Sequence, residues 1–157
     1  CLGKPAEDGK LTAPDLSMEI LSQLADYVLV EADGAKRLPL KAPAEHEPVI
    51  PQEARLVVAV AGLDGAVQPI RESVFRPALY AALCGKSEQD VVTARDIALV
   101  LTSPNGQRKN VPPGARFAVL LNKADNEQAR ETALAIAAEL EQYALERVVI
   151  ASLGGEF

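Results

Sequence analysis

The chain is poor in aromatic side chains: it has three Phe, three Tyr and no Trp, so aromatics make up 4% of its 157 residues. Its core must therefore be filled by Ala, Leu, Val and Ile. Cysteine is just as scarce, with Cys1 and Cys84 only. Two thiols so far apart form neither a disulfide framework nor a paired metal-ligand motif, and a reducing, cytoplasmic setting is expected. Positive charge is not in excess either. Sixteen Lys and Arg against 22 Asp and Glu leave a net charge of −6, which argues against a nucleic-acid partner, since those proteins carry a basic face. No apolar run approaches the roughly 18 residues needed to span a bilayer, so no membrane partner is expected. A phosphate-cradling P-loop, G-x-x-x-x-G-K-[ST], is also missing. Gly9-Lys10 is followed by Leu11, and Gly85-Lys86-Ser87 has Tyr80 where the first Gly would stand.

What is present reads as an ordinary globular chain, with 48% hydrophobic and 24% charged residues. The length suits a single α/β domain over residues 1–157. The chain opens at Cys1 without Met, in a loop-like stretch from Leu2 to Pro14 that resembles no first strand. The expectation is a domain incomplete at its N-terminus. From there two periods alternate. Asp15–Leu24 has helical spacing at Leu16, Ile20, Leu21 and Leu24. Tyr27–Val30 is a short apolar run of the kind found in strands buried on both faces. Leu38–Glu53 contains Pro39, Pro43, Pro48 and Pro51, and reads as an ordered loop or extended crossing. Leu56–Ala61, Phe117–Leu121 and Val148–Ile150 read as further strands. Helices are expected over Glu72–Cys84 with a break near Pro77, from an N-cap at Thr93 to Leu101, and over Asn126–Tyr143. Strands alternating with helices imply parallel pairing and a three-layer α/β fold.

Two strand ends carry the chemistry. In open α/β sheets, ligands bind just beyond the carboxyl ends of the strands. Asn122-Lys123-Ala124-Asp125 follows one strand directly. The Asp125 carboxylate could accept two N–H bonds from a guanine edge, the Lys123 stem could lie along the ring, and the Asn122 amide could fix the loop. A polar turn capping the helix at Asn126 explains the same four residues. Ala151-Ser152-Leu153 after the last strand is a second hint of a base site, and plain strand termination accounts for it equally. At the other strand end, Glu31 and Asp33 are two apart and would share a face. Such carboxylates suit water-mediated Mg²⁺ binding or the orientation of an attacking water. Lys36, Arg37 and Lys41 follow and could neutralise phosphate, and the alternative is a solvated turn with an Asp33–Lys36 ion pair. His46, the only histidine, lies between Glu45 and Glu47 and reads better as a surface imidazole than as a metal ligand. Asp64 in Gly62-Leu63-Asp64-Gly65 could reach the site, although Asp-Gly is a common turn. Cys84 reads as a small core residue.

The long motif VEADGAKRLPLKAPAEHEPVIP, over residues 30–51, resembles the signature of the YqeC family, accessory proteins of selenium-dependent molybdenum hydroxylases (selenium cofactor biosynthesis). Gly9–Leu11, Val57–Asp64, Leu120–Asp125 and the closing VVIASL are similar to that family as well. The resemblance implies a fold of P-loop NTPase type, of which this chain would be the C-terminal portion, with the P-loop upstream of Cys1. It implies nucleotide binding, GTP or ATP with Mg²⁺, and hydrolysis in the full-length protein. Glu31 and Asp33 would then stand at the metal and water, Lys36 or Lys41 at phosphate, and Asn122, Lys123, Asp125 and Ser152 at the base. The implied partners are a molybdenum hydroxylase or cofactor-assembly proteins. A non-catalytic cofactor carrier or docking protein, with Lys36–Pro51 as its contact surface, is the alternative.

Overall fold

A computed structural model describes residues 2–5 and 11–153, so Cys1 and the Gly9-Lys10 near miss lie outside the described residues. The chain divides between Val30 and Glu31 into two compact units, each taken by itself.

In the first unit, the loop-like opening contains a short antiparallel pair, β1 (Lys4–Pro5) with β2 (Leu11–Thr12). Helix α1 (Met18–Leu24) starts later than its apolar spacing predicted. Ser17 is extended and its hydroxyl accepts from the Ile20 amide, which fixes it as the N-cap. Tyr27–Val30, expected as a buried strand, is not one. It joins no ladder among the described residues, and Leu29 is 94% exposed. Apolar patterning marks a segment able to fill a strand, whereas a strand also needs a hydrogen-bonded neighbour.

The second unit is α/β with parallel pairing, as the alternating periods predicted. β4 (Leu56–Gly62), β6 (Arg116–Asn122) and β7 (Arg147–Ile150) form a three-stranded sheet in the order β4-β6-β7, all parallel. Leu56 pairs with Arg116 and Gly62 with Asn122, so the carboxyl ends of β4 and β6 lie side by side. Alternation sends Ala59, Ala61, Phe117, Val119 and Leu121 into the core. Helices α4 (Ala94–Thr102) and α5 (Glu127–Leu140) supply Ile97, Val100, Leu101, Ala133, Ile136 and Leu140 to the same core. The opposite face of β4 leaves Leu56, Val58 and Val60 exposed.

The helix ends follow local chemistry. Thr93 and Asp96 form a capping box at the start of α4, and the Asn126 side chain caps α5 by accepting from the Ala129 amide. The expected Glu72–Cys84 helix resolves into α2 (Ile70–Ser73), the two-residue strand β5 (Val74–Phe75) and α3 (Pro77–Cys84). Pro77 is the reason, because it cannot continue a preceding helix but fits a first turn. β5 pairs in parallel with β3 (Leu40–Lys41), so the proline-rich crossing contributes a strand after all. Leu40-Lys41 lies directly after Pro39 and one residue before Pro43, and the Ala42 amide still reaches the Phe75 carbonyl at 3.2 Å. Gly85, the nominal P-loop glycine, is the left-handed C-cap of α3 with φ 65°.

After α4, the Gln107 amide donates to the Val100 carbonyl at 2.8 Å, which closes the chain against the helix end. A methyl group on Gly106 would overlap that same carbonyl and press on Ser103 Cβ at 3.2 Å. Gly106→Ala is expected to cost about 1–3 kcal/mol through backbone displacement, read from urea unfolding. An unchanged midpoint would show that the turn relaxes freely.

Candidate functional site

The loop from Asp33 to Pro51 runs along the carboxyl ends of the strands. The Gly62 amide, last in β4, donates to the Pro39 carbonyl at 2.9 Å. Gly62 is needed there, since an added Cβ would stand 2.6 Å from Asp64 Oδ1 and 2.9 Å from Pro39 Cβ. The Val49 amide returns to the Ala32 carbonyl at 3.0 Å. Gln107, Lys109 and Asn110 side chains donate to the carbonyls of Lys41, Ala44 and Pro48 at 3.1, 3.1 and 3.0 Å. These bonds satisfy a stretch whose prolines cannot donate, and the prolines lower the entropy cost of ordering it.

Lys41 is the centre of this loop, with its side chain only 4% exposed. Its ammonium donates to the Asp33 carboxylate, to the Gly34 carbonyl at 2.7 Å and to Glu47 Oε2 at 3.0 Å. An ammonium has three donors, and all three are engaged. The expected role of Lys41 at phosphate therefore meets a side chain already committed to holding Asp33 against Glu47. Burial lowers the Lys41 pKa, and Glu47 works against that shift. Arg76 grips Glu47 from the other side through both its terminal nitrogens, one at 2.9 Å. The Phe75 ring has Lys36, Lys41 and Arg76 cations at 5.1, 5.2 and 4.5 Å from its centroid. Glu47, Phe75 and Arg76 were not singled out by sequence reading. The signal was Arg76-Pro77, since a residue before proline is pushed out of the helix. Here Arg76 adopts φ 63°, ψ 64°, which turns its side chain toward Glu47.

Burial by itself would raise the Glu47 pKa, but Arg76, the Ala44 amide and Lys41 outweigh it and hold the carboxyl at about 2. A carboxyl depressed in the folded state contributes stability above its unfolded value of 4.5, and this is lost as pH falls toward 2. The group therefore adds to the acid sensitivity of the fold over that window. Glu47→Gln should flatten the pH dependence of the unfolding free energy between about pH 4.5 and 2, while equal slopes in both proteins would remove Glu47 as its source.

Asp33 has one oxygen on Lys41, while its Oδ2 is buried without a hydrogen-bond partner. Glu31 is exposed and forms no ion pair among the described residues. The Asp33–Lys36 ion pair of the alternative reading is not formed among the described residues, and Lys36 lies over Phe75 instead. The Ala35–Leu38 turn closes with the Leu38 amide on the Ala35 carbonyl at 2.9 Å, and both central residues have positive φ, 50° at Lys36 and 65° at Arg37. That combination marks a type I′ turn, which ordinarily carries Asn-Gly. Left-handed backbone costs about 1–2 kcal/mol at each non-glycine residue. His46 is 3.9 Å from Glu47 Oε1, largely exposed, and forms no ion pair with Glu31 or Asp33 among the described residues. It lines an open cleft of about 370 Å³ with Pro48, Val49, Asn110, Val111 and Pro113.

The second cluster lies where β6 ends. Asn122 Oδ1 accepts from the Lys123 amide at 2.8 Å and from the Leu153 amide at 3.0 Å. The Ala124 amide donates to the Ala151 carbonyl at 3.1 Å, and the Ser152 hydroxyl donates to Asp125 Oδ1. Asn122–Asp125 and Ala151–Leu153 are thus one hydrogen-bonded unit. Lys123 has φ 68° and its ammonium reaches Asp64 Oδ2 at 2.6 Å. Since Asp64 follows Gly62, and Gly62 holds Pro39, both clusters belong to the same sheet edge. Cys84 is partly buried beside Asp96, and burial followed by that carboxylate pushes its thiol up to about 12, so it stays protonated. Among the described residues, no three His, Cys, Asp or Glu side chains gather into a metal-holding group. No helix of the described residues is long and apolar enough to cross a membrane.

The likeness noted in the central motif has counterparts among known proteins. The family profile described as YqeC protein matches residues 1–78. The "Uncharacterized protein YqeC" of Escherichia coli (strain K12) is 38% identical over 101 residues, covering 62% of this chain and 39% of that protein. The matched stretch thus spans about two fifths of the length of its curated relative. No solved structure matches this chain.

Proposed function

Taking the likeness to YqeC as premise, we propose that the carboxyl edge of this sheet binds a nucleotide, with a preference for GTP. The observation that carries the proposal is the unit formed by Asn122–Asp125 and Ala151–Leu153. Asn122 is spent on holding the loop, and Ser152 occupies one Asp125 oxygen. The other Asp125 oxygen has no partner among the described residues and suits the N–H edge of guanine. The Lys123 stem, held by Asp64, offers methylenes to a ring face.

The phosphate end falls to the first cluster. Mg²⁺ takes one or two carboxylates and keeps several waters. The orphaned Asp33 Oδ2 and the exposed Glu31 fit that donor set. When bound, the ion would neutralise phosphate charge. Asp33 is oriented by Lys41, Glu31 is available to accept a proton from water, and Lys36 lies free of carboxylates near the phosphates. The reaction class is nucleotide hydrolysis in the service of maturing a selenium- and molybdenum-dependent hydroxylase. Within this reading the chain is the C-terminal portion of a three-layer fold of P-loop NTPase type. The exposed apolar face of Leu56, Val58 and Val60 supports that part, because parallel sheets are ordinarily covered on both sides.

In the 157-residue chain, which has no P-loop motif, nucleotide binding is expected in the upper micromolar range or weaker. Calorimetry with Mg²⁺-GTP tests this, and a nanomolar complex would mean the phosphate site is elsewhere. A second reading, a cofactor carrier or docking protein, is favoured by the cleft between His46 and Pro113. Binding of a molybdenum hydroxylase that survives Asp125→Asn but is lost on Val49→Glu would select it.

A further inference from the structure

The Ala35–Leu38 turn is an unlikely place for two bulky cations. Its two central positions both require positive φ, and both carry long basic side chains where Asn-Gly would be relaxed. The turn is not excused by pairing. Among the described residues, neither Lys36 nor Arg37 forms an ion pair, while Lys41 and Arg76 close by are fully matched with Asp33 and Glu47. Glu31, the nearest carboxylate along the chain that is not already paired, engages neither cation. In a protein of net charge −6, this leaves two adjacent unmatched cations on a tight, hydrogen-bonded turn. Lys36 is braced by the Phe75 ring at 5.1 Å, which limits its freedom. Arg37 is exposed and projects from the neighbouring position.

We propose that Arg37 is a phosphate ligand, paired with Lys36 as a two-pronged fork that takes the polyphosphate end of the nucleotide. This rests on the nucleotide reading of the same edge and narrows it, giving Arg37 a bidentate role and favouring linked phosphates over a lone orthophosphate. A guanidinium meets two phosphate oxygens at once through its planar fork, and an ammonium adds a point charge. Two prongs on successive residues match the linked phosphates of a di- or triphosphate better than a lone orthophosphate. The strained turn holds the prongs apart from Asp33 and Glu47, so neither carboxylate neutralises them. Strain kept at such a position is the pattern of a functional site rather than of a connector.

The test uses inorganic tripolyphosphate and orthophosphate on the 157-residue chain, at fixed ionic strength, by calorimetry. Wild type is expected to bind tripolyphosphate at least tenfold more tightly than orthophosphate, and R37Q to lose tenfold or more of that affinity. The double variant K36N/R37G should abolish binding and yet melt roughly 2–4 °C higher, because the turn is relieved. Equal tripolyphosphate affinity in R37Q and wild type would overturn the assignment, as would a lower melting point for K36N/R37G. Guanosine, which has no phosphate, separates the two readings. Loss of tripolyphosphate binding in R37Q supports the fork even when guanosine leaves Asp125 untouched in wild type, a result that would count against the guanine reading alone.

Discussion

Glu47→Gln is expected to destabilise the protein by about 3–5 kcal/mol, the scale for removing one partner from a buried ionic cluster. The Glu47 side chain is 16% exposed and bridges Lys41 and Arg76. Replacing its carboxylate by an amide leaves Arg76 facing a neutral group and Lys41 with Asp33 alone, in a site closed to most solvent. The penalty is chiefly the uncompensated charge, so truncating Arg76 as well should recover part of it. Urea unfolding of E47Q, R76M and the double variant gives the coupling energy directly. A loss below about 1 kcal/mol in E47Q would place the cluster with ordinary surface pairs. The result bears on the proposed nucleotide site because the same cluster orients Asp33.

Asp125→Asn is expected to lower GTP affinity by roughly ten- to a hundredfold. The substitution removes one of two acceptors for the guanine N–H donors and adds a donor where guanine also donates. A charge-assisted hydrogen bond contributes about 1.5–3 kcal/mol, which gives that range. ATP affinity should change little, and XTP, which offers an acceptor in place of the exocyclic amine, should gain relative to GTP. Competition among the three nucleotides checks the prediction. Equal GTP affinity in wild type and variant would remove Asn122–Asp125 from base recognition.

The strands and caps of the second unit were legible because their signals are local. Leu56–Gly62, Arg116–Asn122 and Arg147–Ile150 sit within two residues of the apolar runs that predicted them. Thr93 and Asn126 cap the helices their side-chain chemistry foretold. Tyr27–Val30 misled because an apolar run does not specify a pairing partner. The Leu40–Lys41 strand was hidden for the converse reason, since two residues between prolines carry no period and owe their pairing to Val74–Phe75.

The candidate site divides in the same way. Asn122, Asp125 and Ser152 were readable from adjacency to strand ends, and the structure joins them by hydrogen bonds. Glu47, Phe75 and Arg76 were not, because Arg76 meets Glu47 across 29 positions of sequence. Lys41 was read as a charge available to a ligand. Its 4% exposure is a tertiary fact that no spacing announces.

The central claim is that this sheet edge receives a guanine nucleotide, and backbone NMR of the 157-residue chain titrated with Mg²⁺-GTP to millimolar concentration tests it most directly. The account predicts saturable shifts at Lys123, Asp125, Ser152 and Leu153 together with Gly34, Lys36 and Arg37, with ATP shifting only the second group to the same extent. Silence at both clusters, or shifts confined to the cleft between His46 and Pro113, would contradict it.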